Sequence, residues 1–251
     1  MALAQTPSDR AHRSRLVAAA LRHGARRGSL VEKEILGLDA VVGPGDVCLD
    51  VGAEFGLYTH VLADLVGPDG AVHAFEPQRS AHRILRAGVQ AAGTSWVVLH
   101  RTALGGTVGR ATLAVPQRRG LPVHGRAYLT AGAQDVGPNR EFAAHRGETV
   151  EVSTVDAVVA ALGLTAVRLV KADVEGAEGA LLDGAGDTLS RHRPHLLLEI
   201  EDRHTRKYGV TASDLFDRLT AGLGYRAHVW SSGWEPVAGL RDDERNYLFR
   251  P

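Results

Sequence analysis

The chain has 251 residues, and its 29 Lys and Arg balance 29 Asp and Glu, so its formal charge is zero. At 44% hydrophobic and 23% charged residues it holds enough apolar material to offset chain entropy, which excludes disorder as its main state. A chain with no net positive charge lacks the electrostatic basis of general nucleic-acid affinity, and no run of about 18 apolar residues marks a membrane span.

A single cysteine, Cys48, rules out an internal disulfide and permits a reducing compartment. The first 28 residues contain no apolar core long enough for a secretory signal, so a cytoplasmic protein is expected. Residues 1–40 read as a helical extension, with Leu16, Ala19, Ala20 and His23 at helical spacing between arginines. That stretch is either a solvated basic face with an apolar seam or a lid over a substrate. After the turn signal Gly43-Pro44-Gly45, residues 46–51 form a short apolar run of the kind buried on both faces of a sheet. A helix is expected from Tyr58, a strand over 71–75, a helix over 79–92 and a strand over 96–99. A hairpin-like turn at Gly105-Gly106 and a strand over 111–115 follow. Residues 116–148, rich in Gly, Arg, Gln and Pro, read as a long loop inserted into the domain, and from its length and place it is expected to help shape the acceptor pocket. Strand alternation resumes over 150–154. Then come a helix (155–162), a strand (167–171), a helix (177–182), a strand (196–200) and a helix (212–222). Strands at 225–230 and 246–249 are expected to be antiparallel. Strands alternating with helices predict one α/β domain over 41–251, with a doubly wound, mostly parallel sheet.

Four motifs fall at strand ends, where ligands bind in such sheets. In Asp50-Val51-Gly52-Ala53-Glu54-Phe55-Gly56 the glycines allow a sharp turn and close backbone approach. The spacing D-x-G-x-x-x-G is not the dinucleotide fingerprint, and Asp50 suits an ammonium better than a pyrophosphate. About 20 residues on, Glu76 in Phe75-Glu76-Pro77 can hold two ribose hydroxyls, or be a solvated loop glutamate. Lys171-Ala172-Asp173-Val174-Glu175-Gly176-Ala177-Glu178 aims Asp173 at the same crevice, with Glu175 on the same face if the chain stays extended. Glu178 there can charge the first turn of the next helix. Last, Glu199-Ile200-Glu201-Asp202-Arg203-His204 places Glu199 at a strand end. Its His204 is either a general base or a loop histidine. No spacing of His and acidic residues demands a metal.

DVGAEFGLYT at 50–59, AFEP at 74–77, LVKADVEGAE at 169–178, LLLEI at 196–200 and NYLFRP at 246–251 together resemble the FkbM-type family of S-adenosylmethionine-dependent methyltransferases. The resemblance covers roughly 35–251, with the KxDVEGAE element its most specific part. Glu54 stands where the family commonly has Asn, and Ala172 where it commonly has Ile. The resemblance implies a Rossmann-like class I fold, a seven-stranded sheet with an antiparallel last strand. It implies S-adenosyl-L-methionine as cofactor, with S-adenosyl-L-homocysteine as product. The methionine part would lie at Asp50, Gly52, Ala53, Glu54 and Gly56, near Asp173. The ribose would lie at Glu76 and the adenine near Thr102 and Ala103. It also implies transfer to a hydroxyl of a small molecule, a sugar, polyketide or other secondary metabolite. In that chemistry His204 is expected as base, with Asp173 or Glu199 orienting it or the acceptor. The competing readings are a nicotinamide-dependent oxidoreductase and a non-catalytic S-adenosylmethionine-binding protein.

Overall fold

In the computed structural model, which describes residues 7–28, 31–135, 137–142 and 144–251, helix α1 (Pro7–Arg26) and a 3-10 turn (Lys33–Ala40) precede the sheet. Strand β1 (Val47–Val51), α2 (Leu57–Val66), β2 (Ala71–Phe75), α3 (Arg79–Ala92) and β3 (Val97–His100) make the first half. Next come β4 (Ala103–Leu104), β5 (Gly109–Arg118), β6 (Leu121–Pro122), β7 (Tyr128–Leu129) and β8 (Ala144–Ser153). The second half holds α4 (Val155–Ala161), β9 (Leu169–Ala172), α5 (Glu178–Asp183), α6 (Gly186–Arg191), β10 (His195–Glu199), α7 (Asp202–Thr205) and α8 (Ala212–Asp217). It closes with β11 (Arg226–Trp230), β12 (Trp234–Pro236) and β13 (Asn246–Arg250). Positions 1–6 and 29–30 of the expected extension, and 136 and 143 of the expected insertion, lie outside the described residues.

The main sheet runs β12-β11-β13-β10-β9-β1-β2-β3, parallel from β10 to β3, with β13 antiparallel to β10. The seven expected strands are all in it. Short β12 extends the β11 edge, where Trp234 Nε1 donates to Gly37 O at 2.7 Å. Both faces are covered, which is why the strands read as nearly all-apolar runs. Leu49, Val51, Val170, Leu196 and Leu198 pack on one side; Cys48, Val72, Ala74 and Leu197 pack on the other, toward α1 and α2. Register levels the strand ends: Val51 pairs with Phe75 on one side and with Ala172 on the other, and Leu198 pairs with Ala172. Gly52, Glu76, Asp173 and Glu199 therefore leave the sheet side by side.

Three expectations need correction. Residues 116–148 are not a structureless loop. Strands β5 and β8 pair antiparallel from Gly109–Val152 to Gln117–Ala144, and the ribbon carries β6 and β7 in a second sheet. Most outward positions of that ribbon are exposed Arg, Gln, Glu and Gly, so the alternation that marks a half-buried strand is absent. Gly105-Gly106 is not a hairpin turn either: β4 pairs parallel with β8, on the side away from β5. In α1, Leu16, Ala19, Ala20 and His23 are exposed, while Ser14, Ala18 and Ala25 are buried. In an Ala-rich helix with arginines on every side, two stripes have equal periodicity, and packing on α2 selects the other one. Among the described residues, no helix is long and apolar enough to cross a membrane.

Candidate active site

The turn after β1 is built on close contact. Gly52 and Ala53 donate their N–H groups to Phe75 O at 3.0 and 3.1 Å, which bends the chain over the end of β2. Gly52 has φ +78°, and a Cβ there would sit 1.9 Å from the Asp173 carbonyl oxygen, so the two strand-end loops touch backbone to backbone. Glu54, at φ 45°, turns its N–H onto Glu76 Oε2 at 2.9 Å, and Glu76 Oε1 accepts from Gln78 N at 2.7 Å. Glu76 is thus buried and fixed at the end of β2. Burial pushes its carboxyl up to about 7 against those two N–H bonds.

Beside it lies a charge cluster. Lys171 is 3% exposed, with Nζ 3.5 Å from Asp173 Oδ2 and 4.7 Å from the centre of the Tyr58 ring. Burial would lower the Lys171 ammonium, but Asp173, Asp50, Glu32 and Glu199 together hold it above its ordinary value. Burial likewise raises Asp173, and Lys171 with a hydrogen bond from Glu199 outweighs it, so Asp173 keeps its charge. Glu199, raised by burial and by Asp173, carries the proton of that pair. Asp50 is wholly buried and accepts from Thr59 Oγ1 at 2.5 Å; its Oδ1 has no hydrogen-bonding partner.

The loop 173–177 is held from beneath. Glu178 Oε1 accepts from Val174 N at 3.2 Å and Gly176 N at 3.3 Å, a tighter role than charging a helix turn. Burial pushes the Glu178 carboxyl up to about 7, above its ordinary 4.5, so the native state binds the extra proton and wild-type stability falls as pH rises through that range. Glu178→Gln does not titrate. Its unfolding free energy relative to wild type, read from urea denaturation, should rise by about 2 kcal/mol between pH 5.5 and 8.5. A difference that does not change with pH would refute this.

His204 does not reach the cleft as a base there must. It is 4% exposed, and a Cβ on Gly176, at φ +99°, would lie 2.2 Å from its carbonyl oxygen. Glu175 Oε2 is 2.8 Å from His204 Nδ1, but off the line of a hydrogen bond, and both atoms otherwise lack one. Glu175, at φ 55°, is the residue of this pair that lines the cleft. The expected direct contact is therefore corrected. The strand-to-loop turn at Gly176 sends α7 behind Glu175 rather than over it.

Two cavities meet at Gly52, Glu54 and Asp173. One runs past Glu76, Gln78, Thr102 and Ala103 to Glu175. The other contains Asp50, Ala53, Gly56, Glu32, Tyr58 and Lys171 beneath α1. Residues of the insertion, His124, Tyr128 and Leu129 among them, roof the first. Gln78 Nε2 donates to His124 O at 2.9 Å, and His124 Nδ1 lies 2.9 Å from Gln78 Oε1. The sequence led to the expectation that the insertion helps shape the acceptor pocket, without naming these residues, and it gave no sign of Glu32, which accepts from Tyr58 Oη at 2.5 Å. It also left Lys171 without a role. A lysine inside an otherwise apolar strand was the available signal. Among the described residues, no three His, Cys, Asp or Glu converge as a metal site.

The model of the Methyltransferase FkbM domain matches residues 50–227. A curated relative, the 31-O-demethyl-FK506 methyltransferase FkbM of Streptomyces tacrolimicus, is 30% identical over 184 residues; the alignment covers 63% of this chain and 66% of that protein, somewhat under two thirds of it. Among solved structures, a methyltransferase FkbM from Methylobacillus flagellatus KT superposes with a TM-score of 0.50 at 18% identity, covering 84% of this chain and 48% of that one. Cofactor-bound Rv0187 from MTB gives 0.51 at 14% identity, covering 100% and 92%. At such identities the two structures speak for the fold alone.

Proposed function

The chain belongs to the FkbM-type family of S-adenosylmethionine-dependent methyltransferases, and on that premise we propose that it methylates a hydroxyl oxygen of a small molecule. The observation that carries this is the pair of cavities sharing Gly52, Glu54 and Asp173. A nucleoside fits the first: Glu76 stands fixed at the end of β2 for the ribose, with Thr102 and Ala103 beyond it for the base. An amino-acid end fits the second, where buried Lys171 can meet a carboxylate and Glu32 an ammonium. When bound, S-adenosylmethionine supplies an electrophilic methyl group on a sulfonium. Asp173, charged and with its side chain 29% exposed, faces the junction where that sulfonium belongs and takes the acceptor's proton. Protonated Glu199 and Lys171 orient Asp173, and His204 supports Glu175 from behind.

The name of the curated relative, a 31-O-demethyl-FK506 methyltransferase, supports transfer to oxygen. The charged side chains lining the first cavity are all acidic: Glu54, Glu76, Asp173 and Glu175. With a formal net charge of zero the chain also lacks the basic surplus that a nucleic acid would draw on, which favours a small acceptor. Neither the nicotinamide-dependent nor the non-catalytic alternative is favoured by the family match.

Calorimetry with S-adenosylhomocysteine tests the assignment. Wild type should bind, and Glu76→Ala should bind about 100-fold more weakly, since charge-assisted hydrogen bonds are worth roughly 1.5–3 kcal/mol each. Equal affinity in the two proteins would defeat the ribose assignment. Methyl release from labelled cofactor over a panel of hydroxylated acceptors tests the reaction itself.

A further inference from the structure

Lys207 is a buried charge that this scheme does not use. It is 2% exposed, and its Nζ has no hydrogen-bonding partner. The ammonium lies 4.4 Å from the centre of the Tyr128 ring and 5.4 Å from that of Tyr208. Burying an ammonium without a hydrogen bond is costly, so a residue kept in this state needs a reason. Its surroundings supply one. Tyr128 lines the first cavity, on the wall contributed by the insertion. The residues around Lys207 grip that same wall at two further points: Gln134 N donates to Lys207 O at 2.6 Å, and Tyr208 Oη donates to Leu129 O at 2.7 Å. On the other side, the preceding α7 packs against Gly176 and Glu175. Residues 204–208 thus staple the loop after β9 to the roof of the cleft.

We propose that Lys207 is a positioning residue whose ammonium, held on the face of Tyr128, fixes the insertion wall in its binding position, so that loss of the charge loosens the nucleoside site. The proposal rests on the reading of that cleft as the nucleoside site. The charged groups facing Lys207 are Glu175 after β9, Glu178 on α5, and Arg126 and Asp135 in the insertion. Burial, the largest influence, brings the ammonium down to about 8, against the lift from Glu175 and Glu178. The clamp is therefore charged at pH 7 and largely neutral at pH 9.

Calorimetric titration of the full chain with S-adenosylhomocysteine at both pH values tests this. Wild type should weaken about five- to thirtyfold from pH 7 to pH 9, the range of a desolvated cation–π contact. Glu76 works in the opposite direction, since it becomes more ionised. Lys207→Met should bind at pH 7 about as weakly as wild type at pH 9 and, with only Glu76 left to titrate, should not weaken toward pH 9. Its thermal midpoint should hold or rise, because it removes an unpaired buried charge. Lys207→Arg, charged throughout, should not weaken with pH. If Lys207→Met fails to fold, the second pair decides: Tyr128→Phe keeps the ring face and should bind more tightly than Tyr128→Leu, which loses it. Wild-type affinity in Lys207→Met, equal affinities in Tyr128→Phe and Tyr128→Leu, or a pH-dependent loss in Lys207→Arg would overturn the clamp. Absence of heat from wild type at either pH would instead remove the nucleoside reading, and the clamp's purpose with it.

Discussion

Gly52→Ala should abolish S-adenosylhomocysteine binding and lower the unfolding free energy by about 4 kcal/mol or more, placing it among the most damaging single changes. Two effects add at this position. At φ +78° any Cβ crowds its own backbone, for about 1–2 kcal/mol. The larger effect is the 1.9 Å approach to the Asp173 carbonyl, which can be relieved only by separating the two strand-end loops. That separation breaks the bond from Asp173 N to Val51 O, now 3.1 Å, and moves Asp173 away from the junction of the cavities. Gly45→Ala separates the two effects. Gly45 also has a positive φ, +84°, but nothing lies within 4 Å of a Cβ there, so about 1 kcal/mol is expected. Urea unfolding of the two variants reads the difference directly. Equal losses would mean that the loops after β1 and β9 do not pack as tightly as described.

The sheet was legible in the sequence because its strands are buried on both faces. Runs such as Val47–Val51 and Leu169–Ala172 admit no other reading at that length, and the order of the motifs follows from the order of the strands. The strand-end carboxylates were legible for the same reason: an acidic residue just past an apolar strand has to face the open edge. The insertion was not. Strands β5 and β8 keep few buried positions, such as Leu113, Val115 and Val150, and their length comes from pairing with each other. Local sequence does not encode that. Nor does it encode depth. His204 lies in an acidic, polar stretch that reads as an exposed loop; what buries it is Gly176, 28 positions earlier, which lets the loop after β9 press against α7. Lys171 and Lys207 show the converse. Both are lysines by composition, and only the fold reveals that one is matched by several carboxylates while the other has aromatic rings for partners.

Asp173→Asn should reduce turnover about 10²- to 10⁴-fold while changing S-adenosylhomocysteine affinity by less than about tenfold. The amide keeps the shape of the side chain but can neither accept a proton nor carry the negative charge. Lys171 then loses its partner at 3.5 Å, and Glu199 loses the carboxylate to which it donates. The charge matters a second way. A carboxylate at the junction of the cavities attracts a sulfonium more than a thioether, so wild type should prefer S-adenosylmethionine to S-adenosylhomocysteine more strongly than the variant does. That ratio can be measured without knowing the acceptor. His204→Ala is the necessary contrast. The imidazole stands behind Glu175 and outside the cleft, so its removal should cost turnover less than about tenfold, through a loosened Glu175. A loss in His204→Ala as large as that in Asp173→Asn, with cofactor affinity intact, would move the base from the carboxylate to the histidine. It would also require α7 to swing toward the cleft when the acceptor binds, against the packing of Gly176 on its backbone.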